Sequence, residues 1–330
     1  MSEHKIAVLM PVYNSEEFLS LSIESILNQS YENFDFLIIN DGSTDSSESI
    51  ILRYAEKDKR IKYHKLQKVG FAKALNYGLN KSETDIILRM DSDDIALPDL
   101  IDEQLKFFFN EKTDLAGCSH FYFINSKLIY PIKFEAKHKI IKKKLALYSL
   151  ILHSGLIYNK KCIIENGGYS EAKKLIDYAT YLKIKDKVTF AVNPKILVFY
   201  RYRSNSLSRE KLDSFYSYHY ELQESYYKNS LIEEFGIEDK KEELEFRAWR
   251  EYFYGDMAKA RAFWKEALRY GIVKDYRVYI AFTLSFLPKK ILLKIKELRL
   301  RYRINYLIKY FCKENRYYRK LFKQIVLKKF

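Results

Sequence analysis

Apolar residues recur along the first part of the chain in blocks of two lengths. Short apolar runs at 6–12, 34–40, 61–66 and 85–90 suit strands, and the unbroken run at 34–40 suits a strand buried on both faces. Between them, apolar residues return at helical spacing: Phe18, Leu19, Ile23, Ile26 and Leu27 within 15–29, then Ile51 and Tyr54 within 45–57, then a stretch at 71–81. Asn14, with Glu17 three residues on, predicts a helix N-cap. Asp41-Gly42-Ser43 predicts a turn, and Pro98 the first turn of a further helix. Strand alternating with helix implies right-handed crossovers and an α/β fold: a mostly parallel sheet with helices on both faces. Asn14, Asp41 and the run Asp91-Ser92-Asp93-Asp94 each follow a strand, so they converge beyond the carboxyl ends, where such sheets bind ligands.

Beyond residue 110 the pattern is mixed, with strand-like 117–125, a basic helix at 137–147, strand-like 154–159 and strand-like 195–203. From about 206 onward helical patterns dominate, broken at Gly236, Gly255, Gly271 and Pro288. Two parts are expected, 1–210 and a helical, basic 211–330. The segment 253–270, with its alanines and Phe263-Trp264, resembles one tetratricopeptide-like hairpin, whose default role is packing.

Charge changes this picture at one end only. The net charge is +15, and from 289 to the end fifteen Lys or Arg face only Glu297 and Glu314, which gives +13 there. The main domain is thus nearly neutral and is not expected to read nucleic acid. In 289–330, Ile291, Leu292, Ile295, Leu298, Tyr302 and Tyr306 recur near helical spacing among the cations, as in an interfacial helix drawn to anionic lipid. Packing on the domain is the plainer alternative, and RNA binding a third. The run 278–287 is too short to span a bilayer. Three scattered cysteines and a start without a signal-peptide pattern lead us to expect a cytoplasmic protein.

The acidic run offers hard oxygen ligands for a divalent cation and a diphosphate. It is not an EF-hand, because Ala96 replaces the required glycine. Alone it reads equally as a helix cap. Asp41 can accept from a base or ribose, or simply belong to its turn, and Gly70 lacks a dinucleotide fingerprint around it.

Together these segments resemble a known family. Pro11-Val12-Tyr13-Asn14, Asn40-Asp41-Gly42-Ser43-Thr44-Asp45, Gly70-Phe71-Ala72-Lys73-Ala74-Leu75-Asn76 and Arg89-Met90-Asp91-Ser92-Asp93-Asp94 look like glycosyltransferase family 2, of GT-A type fold. The resemblance runs on through His153-Ser154 and Gly167-Gly168-Tyr169 to Tyr200-Arg201-Tyr202-Arg203. It implies an inverting hexosyl or N-acetylhexosaminyl transfer from a nucleotide sugar, usually a UDP-sugar, to a saccharide or lipid-linked saccharide acceptor. The work would serve capsule, lipopolysaccharide or another surface glycan at the inner face of the plasma membrane. Pro11, Val12, Tyr13 and Asn14 would border base and ribose, Asp41 would bind the base, and Asp91 with Ser92 would lie near the ribose or the metal. Asp93, with Asp91, would ligate Mn²⁺ or Mg²⁺, while Lys73, Asn76 and Arg89 would line the donor pocket. His153 and Ser154 would stand on the acceptor side.

Similar proteins carry a Glu-Asp pair whose Asp is the general base. Here that pair is Ile176-Asp177, so Asp177 is the candidate. Arg203 stands where a histidine is frequent; it cannot ligate a metal, but it suits phosphate oxygens. Rival readings are a catalytically silent nucleotide-sugar-binding protein and a metal-dependent nucleotidyltransferase.

Overall fold

The structure is a computed structural model that describes residues 4–124, 127–172, 174–202, 212–226, 231–272, 276–287, 321, 322 and 324. The expected alternation is present: β1 (Ile6–Val12), α1 (Glu16–Leu27), β2 (Phe34–Asn40), α2 (Ser47–Ala55), β3 (Ile61–Lys65), α3 (Phe71–Lys81) and β4 (Ile86–Arg89). A two-residue β5 (Ile95–Ala96) and α4 (Leu100–Glu111) follow. The mixed stretch resolves into β6 (Leu115–Ile124), β7 (Lys127–Ile132), β8 (Ala136–Lys137), α5 (His138–Leu145), β9 (Leu156–Asn159), α6 (Lys160–Ile164), α7 (Ile176–Ile184) and β10 (Phe190–Arg201).

All these strands join one sheet in the order β3-β2-β1-β4-β9-β6-β10-β5, with β7 beside β6 and β8 beside β10. The first four pair in parallel, as the alternation predicts. Past β4 the sheet is mixed, because β9 runs antiparallel to both β4 and β6, whereas β6 and β10 are parallel. Strand order reverses at β1, so its carboxyl end and that of β4 flank the crevice where ligands bind in such sheets.

Every residue of β1 is buried, which is why the run lacks polar alternation. Ile6, Val8, Met10 and Val12 join Leu19, Ile23 and Ile26 of α1 and Leu100, Ile101 and Leu105 of α4 in one core. On the opposite face Gly78 of α3 lies against Leu9 and Ile39. Pro98 stands one residue before the α4 N-cap, Asp99, rather than within the first turn. With β5 in between, the acidic run is not the cap of α4.

Two compact units emerge. One takes in the described residues of Met1–Ile141, Ile151–Arg203 and Asn315–Phe330, the other those of Lys142–Leu150 and Ser204–Glu314. Residues 142–150 fall with the second unit, and the described 321, 322 and 324 with the first, where a single boundary at 210 was expected. The second unit is helical: α8 (Leu212–Tyr226), α9 (Leu231–Phe235), α10 (Lys240–Tyr254), α11 (Met257–Arg269) and α12 (Tyr276–Leu284). Gly236, Gly255 and Gly271 fall at helix ends as expected, and Pro288 lies outside the described residues. Trp264 of α11 is fully buried among Ala248, Tyr252, Val278 and Ala281. Most of 289–330 also lies outside the described residues. Phe322, however, packs its ring at 5.4 Å from Phe123 and 5.3 Å from Phe199, on the sheet of the first unit.

Candidate active site

Pro11 and Val12 are the last, buried residues of β1, and Val12 is in register with Asn40. Tyr13 then turns outward, and Lys68 lies over its ring at 4.2 Å while donating to the phenol oxygen at 2.6 Å. Asn14 adopts left-handed backbone, φ 47°, which asparagine tolerates. It is not the N-cap of α1: Ser15 takes that place, and Asn14 Oδ1 accepts the Thr44 N–H at 2.8 Å, tying the end of β1 to the loop after β2. The α1 and α2 N-termini cap each other, because Asp45 accepts from Glu16 N at 3.0 Å and Glu16 accepts from Ser46 N at 2.8 Å. Asp41 is buried and accepts the Val69 and Gly70 N–H groups, at 2.7 and 2.9 Å. The ends of β1, β2 and β3 are thus laced into one rim.

At the end of β4, Arg89 has no solvent exposure and does not line an open surface as expected. Its guanidinium meets both oxygens of Asp91 at 2.5 Å. Burial disfavours the charge on each, but their attraction outweighs it, leaving Arg89 more basic and Asp91 more acidic than usual. Ser154, two residues before β9, accepts the Asp91 N–H at 3.1 Å and reaches Asp91 at 2.9 Å and Asp94 at 2.5 Å with its hydroxyl. Burial first, then the charges of Asp93 and Asp91, push the Asp94 carboxyl well above its ordinary value. Ser92 Oγ lies 2.8 Å from Ser15 Oγ.

A residue that spacing does not reveal closes this turn. Arg201, at the end of β10, donates its backbone N–H to Asp94 at 2.7 Å and its Nε to the Asp93 carbonyl at 2.8 Å. Its guanidinium is stacked between Phe18 and Phe123, at 4.1 and 4.4 Å. Gly155 beneath Ser154 has φ +79°, and a Cβ there would meet Cys118 Sγ at 2.7 Å and Val198 at 2.8 Å. Only glycine lets Ser154 come this close to the sheet.

The facing wall comes from α3 and the loop before α7. Asn76, expected to line the pocket, turns its amide to the Tyr169 backbone, accepting its N–H at 2.7 Å and donating to its carbonyl at 3.1 Å. A Cβ on Gly168, φ +72°, would meet Asn76 Oδ1 at 2.7 Å. Lys73 Nζ is 3.8 Å from Glu171, both exposed. His153 lies 3.4 Å from the Tyr169 hydroxyl; burial and then Arg89 hold it neutral, well below the ordinary histidine value. Asp177 occupies the first turn of α7. Burial raises its pKa, opposed in part by Arg89 and reinforced by Asp91, so the three charges act on one another. Arg203 lies outside the described residues.

A hard cation fits the donor set in one way. Among the described residues no three His, Cys, Asp or Glu converge as a cage. Asp91 is already matched by Arg89, while Asp94, raised first by burial, is raised further by the charges of Asp93 and Asp91 on the same turn. A divalent ion would relieve that crowding through Asp93, completing its shell with oxygens that are not protein.

A family profile described as Glycosyl transferase family 2 matches residues 7–163. The chain is 29% identical over 231 residues to an O-antigen biosynthesis glycosyltransferase of Escherichia coli, WbnJ, covering 68% of this chain and 91% of that one. It is 34% identical over 231 residues to an uncharacterized glycosyltransferase of Methanocaldococcus jannaschii, covering 66% and 79%. Among solved structures, S. aureus TarS in complex with UDP-GlcNAc matches with a TM-score of 0.56 at 17% identity, covering 80% of this chain and 85% of that one. A mannosyltransferase of Pyrobaculum calidifontis in complex with GDP-Man and Mn²⁺ matches with a TM-score of 0.54 at 15% identity, covering 86% and 81%. These two likenesses speak to the fold.

Proposed function

Because this chain belongs to glycosyltransferase family 2 and is a glycosyltransferase, we propose that it moves one sugar from a nucleoside diphosphate, uridine diphosphate by preference, to an acceptor hydroxyl with inversion. The carrying observation is that Tyr13, Asn14, Asp41 and the Asp91–Asp94 turn follow the strands β1, β2 and β4 that flank the strand-order reversal. The TarS and mannosyltransferase complexes support a nucleotide-sugar donor, and the O-antigen relative supports a surface-glycan role.

In this reading Tyr13 and Lys68 border the base, and the Asp41 rim fixes the loop at Val69 and Gly70 against it. Asp93 holds Mn²⁺ or Mg²⁺, which would offset the charge of the departing diphosphate. Asp91 acts less as a ligand than as the counter-ion of Arg89, and Ser154 and Arg201 keep the turn in shape. Asn76 positions the Gly168-Tyr169 loop, and through it the approach to α7. Asp177 takes the proton of the acceptor hydroxyl as its oxygen attacks the anomeric carbon; the bond to the diphosphate oxygen breaks and carries the electron pair away. Of the two residues expected on the acceptor side, Ser154 is fully buried under the acidic turn and does not face an acceptor, which leaves His153 for that side. The basic 289–330 segment holds the enzyme at the inner face of an anionic membrane; among the described residues no helix is long and apolar enough to cross one.

The deciding experiment is a panel of nucleotide sugars scored for thermal stabilisation with and without Mn²⁺, followed by transfer with the stabilising donor. We expect a UDP-sugar to stabilise more with metal, and Asp177→Asn to keep that stabilisation while losing transfer. Stabilisation without transfer by the unaltered chain would point to a silent binding protein, which the isoleucine at 176 would then explain. Release of pyrophosphate would point to nucleotidyl transfer.

A further inference from the structure

We propose that the outward face of α12 is itself a membrane-docking surface that inserts among the headgroups of an anionic bilayer; this rests on the reading of a membrane-surface enzyme above. α12 turns Val278 and Ala281 inward, in one cluster with Trp264, and Ser285 just after the helix is buried as well. The outward side presents Tyr279, Ile280 and Thr283 on α12 and Phe286 and Leu287 in the turn that follows it, with Phe286 62% exposed and Ile280 42%. The outward face of a helix on a water-soluble domain is ordinarily polar, whereas four of these five residues are large hydrophobics and no acidic residue stands from 276 to 287.

The rim is cationic. Arg261 stacks over Phe286 at 4.8 Å while donating to the Ser285 carbonyl at 2.6 Å, so its charge sits at the edge of the apolar arc. Arg277 is exposed one turn before Ile280. The sequence then enters 289–330, with fifteen basic residues against two acidic ones. An apolar stripe edged by arginine and continued by such charge is matched by anionic lipid. A second copy would bring the same positive charge to the same place and be repelled. Tyr279 is suited to the headgroup boundary, where its ring is dry and its hydroxyl wet, and Phe286 to the acyl side of it.

The test is co-sedimentation of the full chain with vesicles of phosphatidylcholine containing phosphatidylglycerol, beside phosphatidylcholine alone. Binding should require phosphatidylglycerol, and Ile280→Glu and Phe286→Glu should each weaken it by about tenfold, the loss expected for one apolar side chain no longer buried. Donor-induced thermal stabilisation should be unchanged, and the milder pair Ile280→Ser with Phe286→Ser should weaken binding in the same direction. Undiminished vesicle binding in both pairs, or equal binding to neutral vesicles, overturns the proposal. So does a shift from dimer to monomer in the variants without loss of vesicle binding, which would assign the face to a second copy. Failure of all donors to stabilise the unaltered chain would instead sink the nucleotide-sugar reading and leave the vesicle result standing.

Discussion

Arg89 carries a full charge with no solvent exposure, and Asp91 matches it with both oxygens. A buried pair of this kind adds little net stability when intact, yet removing one partner strands the other charge. Arg89→Met should therefore lower unfolding free energy by about 3–5 kcal/mol in urea titration, and adding Asp91→Asn should restore part of it. Asp177 is governed by the opposite sign. Burial raises its carboxyl, and a general base works only when ionised. Hence kcat/KM for transfer should fall as pH drops, with a midpoint above the ordinary carboxylate value of about 3.9. An acid limb at or below that value would remove Asp177 from the role. Both residues were legible by their place in the motifs. That Arg89 faces inward was not, because the strand beside β4 is β9, which pairs from more than sixty positions away and brings the Ser154 loop with it.

Elements explain where local reading stopped. Asn14 and Glu17 have the spacing of a capping box, but the α1 terminus is satisfied by Asp45, 29 positions from Glu16, and Glu16 returns the favour to α2. Spacing rules count only neighbours on one helix, so a cap lent by another helix is invisible to them. The same holds for Arg201, whose N–H reaches Asp94 across 107 positions; within Tyr200-Arg201-Tyr202-Arg203 the sequence alone points to Arg203. The loop before α7 depends on backbone that only glycine adopts readily. Gly168→Ala should cost about 1–3 kcal/mol, since its methyl meets Asn76 at φ +72°. Loss of the Asn76 clamp should lower kcat more than donor affinity. An unchanged melting temperature would show that the loop can shift without strain.

Across the whole chain, the parallel half of the sheet was readable because each of its strands is followed by a helix of matching period, and the mixed half was not. β5, β7 and β8 are short or irregular and exist only because β6 and β10 offer them edges. The helical unit was readable from its glycine breaks, though not the return of Phe322 to the sheet. One buried contact beneath the acidic turn makes that floor measurable. Cys118 lies under Gly155, and burial pushes its thiol far above the usual range, so no thiolate forms while the two stay packed. In a Cys162→Ser, Cys312→Ser background, alkylation of Cys118 becomes a clock for transient parting of β6 from the Ser154 loop. Saturating donor should slow that clock, and a rate indifferent to donor would mean that the turn is held without help from the strand below. A sulfur atom with no part in the chemistry would then report, turnover by turnover, how often the enzyme breathes.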